Sequence, residues 1–160
     1  MRLRSLLFVP GDSDKKFARA CQSGADVLIL DLEDAVAPGM KDAARELVAG
    51  WLASAGEVAP ELFVRVNPLD TGLTKSDLEA VVRPGLAGIL VPKANGADDV
   101  ATIAALIDPL EVAAGLEPGS IRIMVVATET PAAMFALGSY TPPHERLIGL
   151  TWGAEDLAAA

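Results

Sequence analysis

The chain has 160 residues, of which 51% are hydrophobic, 22% charged and 4% aromatic. That length is enough to bury a single-domain core, which excludes a disulfide-stapled miniprotein or a disordered segment. Lys and Arg number 13 against 22 Asp and Glu, a net charge of −9, and with no basic run a nucleic-acid partner is not expected. The first predicted element is a strand over Ser5 to Val9, closed by Pro10-Gly11, then a helix over Asp14 to Gln22 with Ser13 before it. A strand over Val27 to Asp31 leads to a helix over Lys41 to Ala53. A third strand, Leu62 to Val66, leads to a helix over Thr74 to Val82, where Thr74-x-x-Asp77 resembles a capping box. The fourth strand, Gly88 to Val91, precedes a helix over Ala97 to Ala114. The fifth, Ile121 to Ala127, is followed by Thr130-Pro131, an N-cap with proline at the first helical position, opening a helix to Leu137. The sixth, Leu147 to Thr151, leads through Gly153-Ala154-Glu155-Asp156 into the first turns of a further helix ending at Ala160.

Most of these strands are apolar throughout, as strands covered on both faces are, and strict alternation with helices implies a parallel sheet with right-handed crossovers. Strand ends recur about every 28 residues, near the roughly 31 of an eight-fold β/α barrel. A doubly wound sheet alternates in the same way, but Pro10-Gly11-Asp12 stands where it would carry Gly-x-Gly-x-x-Gly. The expected fold is α/β of the (β/α)8 TIM-barrel type, residues 1–160 forming one barrel domain truncated after about six β/α units. Six strands cannot close an eight-stranded barrel, so an open six-stranded sheet is the alternative.

No apolar stretch reaches the roughly 18 residues of a membrane span. The basic start Met1-Arg2-Leu3-Arg4 leads into an apolar run that stops at Pro10, too short for a secretion signal. A cytoplasmic protein without a membrane partner is expected. Cys21, the one cysteine, reads as a small buried residue on a helix, and Trp51 as packing. His144, the one histidine, lies in a Pro-rich loop, so no His-based metal cluster or Ser-His-Asp triad with a second histidine can form.

Charged residues collect just after the strand ends: Asp31, Glu33 and Asp34, then Arg65, Lys93, Glu129, and Glu155 with Asp156. In a parallel β/α array these ends share one face, where ligands bind. Such a set suits an anionic substrate and a hard divalent cation, since carboxylate oxygens suit magnesium. Plainer roles compete. Glu129 and Asp156 stand near helix starts, which favour acids; the Asp31 cluster could solvate a loop, and Lys93 could be a solvated loop lysine. Arg65 interrupts the apolar run Leu62-Phe63-Val64-Arg65-Val66, and a buried guanidinium needs an anionic partner.

Arg4 to Gly11, Asp26 to Val36 with Lys41 and Ala44-Arg45, Val64-Arg65-Val66-Asn67, Val91-Pro92-Lys93, Glu129-Thr130 and Gly153-Ala154-Glu155-Asp156-Leu157 together resemble the citrate lyase β-subunit-like family within the HpcH/HpaI aldolase group. The resemblance covers essentially the whole chain. It implies a Mg2+-dependent barrel enzyme that makes or breaks a carbon–carbon bond next to an acyl thioester or an α-keto acid, assembled as a trimer or hexamer. It implies Arg65 and Glu129 as catalytic and substrate-binding residues, Glu129 and Asp156 as magnesium ligands, and Asp31, Glu33 and Asp34 holding metal waters or Arg65. The expected reaction is cleavage of a hydroxy-dicarboxylate acyl thioester of the citryl-CoA or malyl-CoA kind. Two alternatives stand beside it: hydrolysis of a malyl thioester, and an inactive partial barrel acting as a structural or binding partner.

Overall fold

The computed structural model describes residues 3–55 and 60–159; Met1, Arg2 and Ala160, which entered the reading of the two ends, lie outside them. Six parallel strands form one sheet: β1 (Leu6–Pro10), β2 (Val27–Asp31), β3 (Glu61–Arg65), β4 (Leu86–Val91), β5 (Arg122–Val126) and β6 (Leu147–Thr151). Between and after them run α1 (Asp14–Ala20), α2 (Lys41–Ser54), α3 (Thr74–Val81), α4 (Ala97–Ala113), α5 (Pro131–Ala136) and α6 (Glu155–Ala159). The spatial order is β1-β2-β3-β4-β5-β6. A doubly wound sheet reverses its order midway, so this topology is that of consecutive TIM-barrel units and not of a Rossmann fold.

Alternate side chains of each strand enter two cores. Leu28, Leu30, Val64, Ile89, Val91, Ile123 and Val125 face the helices, where Val48, Leu52, Leu78, Val81, Ile103 and Ile107 cover them. Val27, Ile29, Phe63, Leu90, Met124 and Val126 form a second apolar cluster on the opposite face, the one that would line a barrel interior. This two-sided burial explains why the strands read as continuous apolar runs. The inner face is tightly filled: a Cβ on Gly88 would meet Phe63 Cε2 at 2.5 Å. The edge strands β1 and β6 leave Leu7, Phe8 and Leu150 exposed, with Trp152 just beyond β6.

The helix starts follow the sequence only in part. Thr130 caps α5, its side chain accepting from the Ala133 N–H at 3.1 Å. Ser13 precedes α1 as expected but makes no capping hydrogen bond. Thr74-x-x-Asp77 is not a capping box. Leu73 occupies the N-cap, Thr74 Oγ1 donates to the Asn67 and Pro68 carbonyls, and Asp77 is drawn away by Arg45 and Asn67. Cys21 is exposed and not buried, although its backbone continues the helical geometry of α1. Trp51 does pack: its ring stacks on Phe17 with centroids 4.5 Å apart, and Nε1 donates to Asp14 Oδ1 at 2.7 Å, joining α1 to α2. Among the described residues no helix is long and apolar enough to cross a membrane.

Candidate active site

The parallel register pairs Asp31 with Arg65 at the ends of β2 and β3. Arg65 Nε donates to Asp31 Oδ1 at 2.8 Å and Nη2 to Oδ2 at 2.7 Å, the two-pronged geometry that a planar guanidinium favours. Asp31 also accepts the backbone N–H groups of Glu33 and Ala35, which turns the chain sharply after β2. Burial opposes charge on Arg65, but Asp31, with Glu33 and Asp34 beyond it, outweighs this and raises its pKa. The buried Glu33 follows. Its Oε1 accepts from Lys93 Nζ at 2.5 Å, while its Oε2 lies 2.9 Å from Arg65 Nη1 without an aligned hydrogen bond.

This acidic loop is braced from behind. Lys41 Nζ donates to the Leu32 and Glu33 carbonyls at 2.6 and 2.7 Å, and Asn67 Nδ2 reaches the Leu32 carbonyl at 3.1 Å. Asn67 is fixed in turn by Asp77, which also accepts from Arg45 Nε at 2.7 Å. Lys41 and Arg45 were legible only as part of a resemblance. Asn67 and Asp77 act here as supports that spacing alone does not reveal, since they bind each other and also reach the Leu32 carbonyl and Arg45 of the preceding unit.

The opposite wall comes from β4, β5 and the segment after β6. Lys93, in the left-handed region at φ 51°, turns its backbone N–H onto Glu129 Oε2 at 2.5 Å. Its ammonium lies 3.5 Å from Asp156 Oδ1 and 3.9 Å from Asp34 Oδ1, besides its bond to Glu33. Lys93 is thus part of a charge network and not a solvated loop lysine. Burial raises the Glu129 pKa, its Lys93 N–H bond opposes this, and repulsion from Glu33 and Asp156 adds to it. Gly153 permits this arrangement: a Cβ there would stand 2.6 Å from Glu129 Cγ and 2.7 Å from Val126 Cγ1.

Arg65, Glu129 and Asp156 line one cleft of about 650 Å3 with Phe8, Ile29, Leu90, Val126 and Trp152. One end is charged and the floor is the apolar inner face of the sheet. The Arg65 guanidinium carbon stands 4.9 Å from the Phe8 ring centroid, which shields one face of the cation. Asp34 is largely exposed at the rim. Cys21 and His144 are not among the residues lining this cleft.

Among the described residues no group of three or more His, Cys, Asp or Glu side chains is arranged to hold a metal. Magnesium does not require a full protein cage, since it keeps several waters and takes one or two carboxylates. Glu129 and Asp156, both lining the cleft, fit that donor set, and Glu33 Oε2 is a buried oxygen without a hydrogen-bond donor.

The sequence model of the HpcH/HpaI aldolase/citrate lyase family matches residues 4–160. Citrate lyase subunit beta of Escherichia coli is 41% identical over 153 residues, covering 96% of this chain and 50% of that protein. A (3S)-malyl-CoA thioesterase of Cereibacter sphaeroides is 36% identical over 155 residues, covering 97% of this chain and 50% of that one. The chain thus spans about half the length of the curated relatives it matches. Among solved structures, protein CitE from Mycobacterium tuberculosis in complex with magnesium and acetoacetate is similar with a TM-score of 0.72 and 32% identity, over 99% of this chain and 59% of that one. A citrate lyase from Burkholderia xenovorans shares the fold at a TM-score of 0.84 and 22% identity, over 100% of this chain and 51% of that one. With strand-end residues, sheet order and sequence in agreement, the chain belongs to the HpcH/HpaI aldolase/citrate lyase family.

Proposed function

We propose that this chain carries the magnesium and substrate-anion half of a carbon–carbon lyase acting on a hydroxy-dicarboxylate acyl thioester, within a (β/α)8 barrel to which its six units belong. The observation that carries the reading is the convergence of Arg65, Glu129 and Asp156 on one apolar-floored cleft. Retro-aldol or retro-Claisen cleavage leaves an electron pair on carbon that delocalises onto the thioester oxygen, and the site must stabilise that charge. A Mg2+ held by Glu129 and Asp156 would supply Lewis-acid stabilisation of charge on a substrate oxygen. Arg65 adds a fixed cation on the opposite wall, and Asp31 holds its guanidinium plane so that little reorganisation is needed as charge develops. Arg65 lines the cleft, where donors not engaged by Asp31 or Glu33 would bind a substrate carboxylate or enolate oxygen. Ile29, Leu90 and Val126 exclude water from the reacting carbon.

A second reading, thioester hydrolysis, is favoured by the (3S)-malyl-CoA thioesterase relatives. The experiment that separates the two uses citryl-CoA and malyl-CoA with magnesium or chelator. Acetyl-CoA release that disappears on chelation supports the lyase; release of free coenzyme A without acetyl-CoA supports the hydrolase. No turnover of either thioester by a folded, magnesium-binding protein supports a partial barrel that needs other chains.

A further inference from the structure

Lys93 reaches three acids at the cleft's charged end, Glu129, Glu33 and Asp156, through two different groups. Its N–H holds Glu129, while its ammonium bridges Glu33 and Asp156. A lysine at φ 51° is uncommon, because its Cβ crowds the backbone there, and such a conformation persists where surrounding contacts over-determine it. Here those contacts are the carboxylates themselves. Leaving the left-handed region would pull the N–H away from Glu129 and redirect the side chain.

We propose that Lys93 is the positioning residue of the magnesium site, its ammonium serving as an internal counter-cation that keeps Glu33 and Asp156 together and competes with the metal for Asp156. This rests on the assignment of Glu129 and Asp156 to magnesium. Two electrostatic effects then act in one direction. With the ammonium present, repulsion among the acids is already relieved and an incoming dication meets a like charge. Without it, Asp156 loses its cation, Glu33 keeps only Arg65, and the dication meets one like charge fewer. Neutralising the side chain therefore strengthens magnesium binding while weakening the metal-free fold.

The test is calorimetric titration of the full chain with MgCl2 alone, without substrate. Lys93→Asn removes the ammonium, keeps the N–H and tolerates a left-handed backbone. Lys93→Gly is a second neutral variant for which φ 51° is unstrained, and Lys93→Arg keeps the charge. The expected result is a Kd about tenfold lower in the neutral variants and nearly unchanged in Lys93→Arg. Their metal-free melting temperatures should lie below that of the wild type, and magnesium should close the gap. A neutral variant that folds, by circular dichroism, yet binds magnesium as weakly as the wild type or more weakly overturns the proposal and leaves the metal assignment standing. A wild type that binds no magnesium overturns both.

Discussion

Adding one methyl group at Gly153 tests the packing on which the acid site depends. In Gly153→Ala the new Cβ would stand 2.6 Å from Glu129 Cγ and 2.7 Å from Val126 Cγ1, well inside van der Waals contact. Neither side can yield cheaply. Val126 is buried and branched at Cβ, and Gly153 is held by Thr128, whose Oγ1 accepts its N–H at 2.9 Å and donates to its carbonyl at 3.2 Å. Glu129 must therefore move and give up the Lys93 N–H. Overpacking of this kind costs about 1–3 kcal/mol, and a hydrogen bond to a charged group contributes about 1.5–3 kcal/mol. With partial relaxation the total is about 3 kcal/mol, or a fall in Tm of about 6–12 °C at this chain length. The assay is thermal unfolding with and without millimolar magnesium. The variant should melt lower in both conditions and lose at least half of the magnesium-dependent rise. A Tm within about 1 °C of the wild type, where scatter and effect merge, with an unchanged magnesium response would refute the wedged Glu129.

Three further outcomes follow from the charge networks. Arg65→Lys keeps the charge but cannot make both bonds to Asp31, so turnover should fall about 100-fold, the cost of misplacing a group by about 1 Å; near-normal kcat/KM would reduce Arg65 to a core ion pair. Millimolar magnesium should raise the wild-type Tm through binding to the folded state, and Glu129→Gln or Asp156→Asn should abolish that rise, as differential scanning calorimetry will report. Beneath β5 and β6, the fully buried Glu111 accepts from Arg146, Ile121 and Gly119. Burial alone would raise its pKa, but Arg146 and the two N–H groups outweigh it and hold it at about 2 against an ordinary 4.5. A lowered carboxylate pKa stabilises the fold fully above pH 4.5, and that contribution of about 3 kcal/mol disappears as pH falls toward 2. Arg146→Met should cost about 3–5 kcal/mol at pH 7 by stranding the carboxylate, and denaturant melts across pH should show a shallower acid limb than the wild type. An unchanged acid limb would remove Glu111 from the account.

Much of the fold was legible because two-sided burial writes itself into the strands as apolar runs, and Thr130-Pro131 carries its capping role in its own chemistry. Arg65 was legible as an ion-paired guanidinium for the same reason, since an arginine among Leu62, Phe63 and Val64 has to find an anion. What spacing did not reveal lies in contacts between units. Asp77 sits where a capping acid would, but Arg45 on α2 and Asn67 in the loop after β3 compete for it more strongly than the helix's own N–H groups. Lys93 stays open in the sequence between a strand-end site residue and a loop lysine, because its importance lies in a backbone angle and in carboxylates from three other strand ends. Cys21 misled because apolar neighbours in sequence do not say which helix face a residue occupies, and at the end of α1 it meets water.

The central claim is that this cleft stabilises a carbanionic fragment of an acyl thioester. The most direct measurement is mass spectrometry of the products formed from malyl-CoA in D2O with magnesium present. Cleavage through an enolate puts one solvent deuteron on the methyl carbon of the acetyl-CoA released, with glyoxylate as the other product. Free coenzyme A together with malate that carries no deuterium on carbon would contradict the claim and assign the site to hydrolysis.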